Sequence, residues 1–85
     1  MSYRVELSSR ALRDLKGLDK PLQKRMAIAI DALASDPRPP GCQKMEGQEK
    51  AFRIRVGDFR IIYQVHDKVL LVLVLKVGHR GDVYR

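Results

Sequence analysis

Residues 52–65 read FRIRVGDFRIIYQV, and this stretch decides the fold. Apolar and polar residues alternate on both sides of Gly57-Asp58, which is the pattern of two half-buried strands joined by a two-residue turn. Because successive side chains of a strand point to opposite faces, seven apolar residues share one face and predict a core strand pair. These residues are Phe52, Ile54, Val56, Phe59, Ile61, Tyr63 and Val65.

The opposite face of the same hairpin collects three arginines: Arg53, Arg55 and Arg60. A two-residue turn sets Arg55 directly opposite Arg60, and like charges in that position destabilise a strand pair. A bound polyanion relieves such a pair, and the arginine guanidinium suits phosphate because it donates two parallel hydrogen bonds. The hairpin therefore predicts an anion site on its polar face.

The flanking sequence predicts an α+β fold with the element order β-α-α-β-β-β. We expect residues 1–85 to form one domain, in which two N-terminal helices pack on the apolar face of a small, mainly antiparallel sheet. Residues 44–47 receive no assignment. The predicted elements are a strand at 3–7, a helix from Ser8 or Ser9 to about Gly17, a helix from Asp19 to about Ser35, the hairpin, and a strand at 68–77.

Composition narrows the class of protein. The net charge is +7 and the pI is about 10, which favours a polyanionic partner. Residues 50–85 carry eight basic and three acidic residues, so most of the excess charge lies in the half that forms the hairpin. A single cysteine, Cys42, and the lack of a signal-peptide core after the N-terminus lead us to expect a cytoplasmic protein without disulfides. Two histidines without clustered carboxylates predict no metal site.

Strand direction predicts which other residues join the arginines. If the strand at 68–77 pairs antiparallel with residues 59–66, Leu71, Leu73 and Leu75 lie on the arginine face together with Ile62. This pairing also brings residues 78–85, expected to form a loop, next to Arg55 and Arg60. The predicted patch is apolar at one end and cationic at the other, and the loop adds His79, Arg80 and Tyr84.

Two motifs carry a family resemblance: R-x-R-V-G-D-F-R-I-I-Y at 53–63 and V-G-H-R-x-x-V-Y at 77–84. With the order of elements, they resemble the RelE branch of the RelE/ParE superfamily, the toxins of type II toxin-antitoxin modules. The resemblance covers essentially the whole chain. It implies an endoribonuclease without metal or other cofactor that cuts mRNA in the ribosomal A site by attack of the 2′-hydroxyl on the adjacent phosphate.

The resemblance also implies roles for individual residues. Arg60 and Arg80 match arginines that stabilise the phosphorane charge, and Tyr84 matches a tyrosine that stacks on or orients the nucleotide. Arg53 and Arg55 match basic strand positions that are often lysine, and an arginine is a poor general base because its pKa lies above about 12. Two alternatives stay open: His79 takes the proton, or catalysis rests on electrostatic stabilisation alone.

The implied partners are the ribosome, mRNA and an acidic RelB-like antitoxin that forms a hetero-oligomer with the toxin; no membrane partner is expected. We expect the antitoxin to cover Ile62, Leu71, Leu73 and Leu75 and to bring acidic residues to the arginines. One alternative from another class is a ParE-like toxin that poisons DNA gyrase without catalytic activity of its own. Another is an RNA-binding protein without activity.

Overall fold

A computed structural model of the protein describes residues 2–79. Its five strands form one sheet in the order β1-β5-β4-β3-β2, in which β1 runs parallel to β5 and the other neighbours are antiparallel. The elements are β1 (Arg4–Leu7), α1 (Ser9–Lys16), α2 (Lys20–Ala32), β2 (Gln43–Lys44), β3 (Ala51–Val56), β4 (Phe59–His66) and β5 (Leu71–His79). The predicted α+β class and order of elements are confirmed, and β2 is an additional short strand.

Both helices begin where the sequence predicts. The Oγ of Ser8 accepts a hydrogen bond from the Ala11 N–H at 3.0 Å, and Asp19 accepts one from the Leu22 N–H at 3.0 Å. These contacts satisfy backbone donors that the first turn of a helix leaves without partners. Pro21 lies in the first turn of α2, where its missing N–H removes no helical hydrogen bond.

The core lies between the helices and one face of the sheet. Met26, Ile30 and Leu33 of α2 are buried against the strand residues, as the helical spacing predicts. Tyr63 is fully buried, and its hydroxyl donates to the Pro37 carbonyl at 2.7 Å, so the segment after α2 is tied to the centre of the sheet. The predicted inner face of the hairpin is confirmed, since its seven apolar residues are buried in the core or packed against it.

The last strand differs from its predicted bounds. Residues 67–69 form a 3-10 turn, and Leu70 has a φ of 52°, so β5 starts at Leu71 rather than at residue 68. The strand then continues through His79, beyond the predicted end at residue 77. Residues 78 and 79 are therefore strand, and not the start of the predicted loop.

A bulge in β5 changes which side chains face the core. Tyr63 pairs with Val74, while its neighbour Ile62 pairs with Lys76, so Leu75 is an extra residue. Val72 and Val74 face the core before the bulge, and Val77 faces it afterwards. Side chains of α1 hold this irregular backbone: Ser8 Oγ donates to the Leu75 carbonyl at 2.8 Å, and Asp14 Oδ2 accepts from the Val77 N–H at 3.0 Å.

Candidate functional site

Near the tip of the β3–β4 hairpin, two arginines lie directly opposite each other. Val56 pairs with Phe59 across Gly57-Asp58, and the next pair is Arg55 with Arg60, as the sequence predicts. Gly57 has a φ of 62°, which fits the first central position of a tight hairpin turn. Arg55 Nε donates to the Gly57 carbonyl at 3.0 Å, so one guanidinium is held at the turn.

These arginines line a small cavity on the outer face of the sheet, which we name the arginine pit. Its volume is about 150 Å³, several times the roughly 30 Å³ that a water molecule occupies in the liquid. No acidic residue is among its lining residues, all of which lie in the described part of the chain. They are Gly41, Gln43, Arg53, Arg55 and Arg60.

Gly41 and Gln43 are the members of the pit that the sequence did not predict. Gln43 pairs with Arg53 in the β2–β3 ladder, and its Oε1 accepts from Arg53 Nε at 2.8 Å. The signal that was missed is the short strand β2, whose two residues are too few to show an alternating pattern. Only the folded chain brings Gln43 to the arginines.

Arg60 lines the pit and also contains a buried donor. Its Nε is buried and has no hydrogen-bond partner among residues 2–79. Leaving a buried donor without a partner costs free energy, and buried polar side-chain atoms in native proteins are mostly hydrogen-bonded. The Nε is itself closed to solvent, so an anion in the arginine pit is attracted by the charge of the guanidinium rather than bound by this donor. In the same part of the chain, no group of three or more His, Cys, Asp or Glu residues is arranged to hold a metal.

The structure does not bring His79 to the arginine pit, and the prediction of its position is wrong. His79 pairs with Phe59, and directly opposed residues share a face, so its ring lies on the side of the sheet that carries the helices. The ring centroids of His79 and Phe59 are 5.4 Å apart in an edge-on contact. The residue opposite Arg60 on the pit side is Gly78. The prediction failed because the bulge shifts the register of β5 by one residue.

Two predicted site residues, Arg80 and Tyr84, lie outside the described residues. Of the predicted apolar patch, Leu71 and Leu73 are half-buried and alternate with the core residues Val72 and Val74, so they lie on the outer face. Leu75 is half-buried at the bulge. Ile62 is only 5% exposed between its partners Arg53 and Lys76, so it presents little surface in the free chain.

A fourth guanidinium approaches the hairpin from the other side of the sheet. A methyl group built on Gly57 would lie 3.2 Å from Nη2 of Arg25, a residue of α2. The tip of the hairpin is therefore cationic on both faces. None of the helices formed by residues 2–79 is long and apolar enough to cross a membrane.

Comparisons with known proteins agree with this architecture. The sequence profile of the family described as the ParE toxin of the type II toxin-antitoxin system parDE matches residues 5–84. A RelE-like toxin protein from Escherichia coli is 34% identical, with 99% of this chain and 92% of that protein covered. The mRNA interferase toxin RelE of Escherichia coli K12 is 26% identical over the same shares of the two chains.

Solved structures show the same fold. The RelE chain in the archaeal RelE–RelB complex from Pyrococcus horikoshii superimposes with a TM-score of 0.84 at 32% identity, covering 96% of this chain and 99% of that one. The family profile spans nearly the whole chain, and the E. coli RelE-like relative exceeds 30% identity over nearly all of it. The chain therefore belongs to the RelE/ParE superfamily, the toxins of type II toxin-antitoxin systems.

Proposed function

We propose that this toxin is a ribosome-dependent endoribonuclease that cuts mRNA in the A site. The observation that carries the proposal is the arginine pit, whose lining within residues 2–79 includes three arginines and no acidic residue. A phosphodiester supplies the negative charge that the lining of the pit lacks. The name of the E. coli relative, mRNA interferase toxin RelE, supports the same reaction class.

In the proposed reaction, the 2′-hydroxyl oxygen attacks the adjacent phosphorus and the bond from phosphorus to the 5′-oxygen breaks. The products are a 2′,3′-cyclic phosphate and a 5′-hydroxyl; the proton lost by the 2′-hydroxyl is balanced by the one gained by the 5′-oxygen. Negative charge grows on the phosphorane oxygens, and fixed guanidinium groups stabilise it. Arg55 and Arg60 face this charge from opposite strands, and Arg80 is proposed to join them.

The pit itself offers no ordinary general base. Its ionisable members are all arginines, and a guanidinium is a poor general base because it does not readily release its proton. His79 lies on the other face of the sheet, in contact with Phe59. We therefore favour a reaction that rests mainly on electrostatic stabilisation and positioning, with proton transfer to and from water or the ribosome.

The proposed resting state is a complex with an acidic RelB-like antitoxin. Several solved relatives are toxins bound to RelB, including those from Pyrococcus horikoshii and Mycobacterium tuberculosis. An acidic partner complements the arginines, because none of the residues that line the arginine pit is acidic. We propose a cytoplasmic location, which the proposed site of action on the ribosome requires.

The decisive experiment is regulated expression of the toxin with and without the neighbouring open reading frame, followed by primer extension on cellular mRNA. We expect discrete cuts in translated messages for the wild type. Arg60→Ala and Arg80→Ala are expected to lower cleavage by about a hundredfold or more, the usual effect of removing one transition-state contact. Arg13→Ala removes the same charge from an exposed position on α1 and serves as the control. Full cleavage by both Arg60→Ala and Arg80→Ala would refute the site assignment.

The family match favours one alternative, because the matching profile is that of the ParE toxins. A ParE-like protein would bind DNA gyrase and cut no RNA. Intact mRNA together with induced DNA damage in the same expression experiment would support this second function. The arginine pit argues against it, because a gyrase-binding protein has no evident need for a phosphate-sized cationic cavity.

A further inference from the structure

One edge of the sheet is incompletely covered. The β2–β3 ladder contains only the pairs Gln43–Arg53 and Lys44–Phe52. The Cys42 N–H donates to the Pro39 carbonyl at 3.0 Å, and Gly41 has a φ of 91°, so the chain turns away from β3 at this point. Within residues 2–79, the segment of β3 from residue 54 to residue 56 has no neighbouring strand on this side. We name this segment the open edge.

The backbone of Arg55 faces outward at the open edge. In an antiparallel sheet, the N–H and C=O groups of alternate residues point to the same neighbour. The Lys50 carbonyl accepts from the Val65 N–H of β4, whereas the Ala51 carbonyl accepts from the Met45 N–H on the β2 side. Alternation from Ala51 therefore directs the N–H and C=O of Arg55 toward the uncovered side, where a further strand can pair with them.

Two cavities meet at this edge. The arginine pit lies on the outer face of the sheet, and a cleft of about 430 Å³ lies on the face that carries the helices. Gly41 and Arg55 line both cavities, so the two cavities are neighbours at this edge. The remaining lining of the cleft is apolar and consists of Ala29, Ala32, Pro39, Pro40, Ile54 and Val56.

We infer that the open edge binds an extended peptide segment of a partner protein in which acidic and apolar residues alternate. A strand placed beside Arg55 sends successive side chains to opposite faces. Side chains of one set of alternate residues enter the arginine pit, and those of the other set enter the apolar cleft. Acidic residues suit the first set and apolar residues the second, so the bound sequence should alternate between them. Addition of a strand to an exposed sheet edge is a common mode of peptide recognition.

This inference goes beyond the nuclease proposal, because it concerns a binding surface that needs no RNA chemistry. An occupant of the open edge fills the arginine pit and thereby competes with phosphate. The antitoxin is a natural source of such a segment, and that identification rests on the proposed function. Single-stranded RNA is the competing occupant, with a phosphate in the pit and a base in the cleft.

The test is an NMR titration of the isotope-labelled protein with two synthetic peptides of equal composition. The alternating probe is Glu-Val-Glu-Ile-Glu-Val-Glu, and the block probe is Glu-Glu-Glu-Glu-Val-Ile-Val. We expect the alternating probe to bind at least about tenfold more tightly, a difference of about 1.4 kcal/mol. We also expect it to shift the backbone amide NMR signals of Arg55 and Ala32. It should slow the exchange of the Arg55 amide proton with solvent. Inorganic phosphate is expected to displace it.

Two matched variants separate the cleft from general charge attraction. Ala32→Glu places a carboxylate in the cleft and is expected to abolish the preference for the alternating probe. Ala27→Glu adds the same charge to an exposed position on α2 outside the cleft and is expected to leave binding unchanged. Equal binding of the two peptides, or shifts confined to the outer face, would overturn the inference. The inference would also be overturned if a short RNA, but not the alternating peptide, shifted the NMR signals of the amides that line the cleft. The titration does not use RNA cleavage, so a toxin that fails to cut mRNA leaves its result valid.

Discussion

Arg55 and Arg60 lie directly opposite each other in the β3–β4 ladder, and the cavity that they line contains no acidic side chain. Opposed like charges destabilise a strand pair, and the buried Arg60 Nε adds a donor without a partner among residues 2–79. Both features lower the free energy of unfolding of the free toxin. A bound anion offsets the repulsion between the two guanidinium groups.

The first prediction concerns Arg60→Met, which keeps the aliphatic part of the side chain and removes the guanidinium. We expect the free energy of unfolding to rise by about 0.5–2 kcal/mol, because the opposed charge and the unpartnered donor are both lost. Urea denaturation of the two proteins at low ionic strength measures this difference. Arg13→Met, at an exposed helical position, is the control and should change stability by less than about 0.5 kcal/mol.

The same pair of proteins reports on anion binding. Inorganic phosphate should stabilise the wild type more than chloride of equal ionic strength, because a ligand of the folded state raises its stability by mass action. Arg60→Met should lose most of this additional stabilisation, whereas Arg13→Met should retain it. An identical response of all three proteins to phosphate would show that the arginine pit binds no anion in the free toxin.

The second prediction concerns the turn glycine. Gly57→Ala should lower the free energy of unfolding by about 1 kcal/mol or more, because its φ of 62° is unfavourable for a residue with a Cβ. The new methyl group would also lie 3.2 Å from Nη2 of Arg25. Gly17→Ala is the matched control: Gly17 has a φ of −79°, and an added Cβ would make only ordinary contacts, the nearest at 3.5 Å from the Asp14 carbonyl oxygen, so thermal unfolding should show no loss of stability there.

The third prediction concerns Asp14, which accepts a hydrogen bond from the Val77 N–H beside the bulge. Asp14→Ala leaves this partly buried donor without its partner, and we expect a loss of about 1–3 kcal/mol in chemical denaturation. Asp14→Asn keeps a carbonyl oxygen at the same place and should restore most of the stability. If the alanine and asparagine variants are equally destabilised, the exposed ion pair of Asp14 with Arg10 matters more than the hydrogen bond to the bulge.

The fourth prediction concerns acid stability. Hydrogen bonds from the Arg38 guanidinium, and then from the Tyr3 hydroxyl, lower the pKa of Asp67 to about 2. The unfolded chain takes up this proton near the ordinary value of about 4. Between these two values the unfolded state binds more protons, so the contribution of Asp67 is complete above about pH 4 and is lost as the pH falls toward 2.

Asp67→Asn should therefore have lower stability than the wild type at pH 6, and the gap should narrow between about pH 4 and pH 2. Urea denaturation across this range measures the gap. Asp31→Asn alters an exposed carboxylate on α2 and is the control variant. A gap between wild type and Asp67→Asn that is constant over the whole range would rule out the assigned titration.

Local patterns were sufficient for most of the fold. Ser8 and Asp19 act as helix caps at the predicted residues because capping depends on contacts within one turn. The Gly57-Asp58 turn and the Arg55–Arg60 pair follow from the strict alternation on both sides. For the same reason, three of the residues that line the arginine pit were predictable.

The residues that were not predicted depend on distant contacts. Gln43 reaches the pit through a strand of two residues that forms only because β3 is beside it. The face occupied by His79 depends on a bulge in β5, whose backbone is held by Ser8 and Asp14 of α1. Neither effect leaves a periodic signal in the sequence near the residue concerned.

The sequence by itself thus determined the hairpin, its core face and the opposed arginines, because alternation and turn chemistry act over a few neighbouring residues. Only the tertiary structure decided that Gln43 joins the arginines and that His79 does not. It also decided that β2 ends before it covers the edge of β3 at Arg55. A one-residue shift in strand register reverses every side chain after it. The shifted backbone is hydrogen-bonded by Ser8, the N-cap of α1, and by Asp14, contacts between segments more than sixty residues apart in the chain.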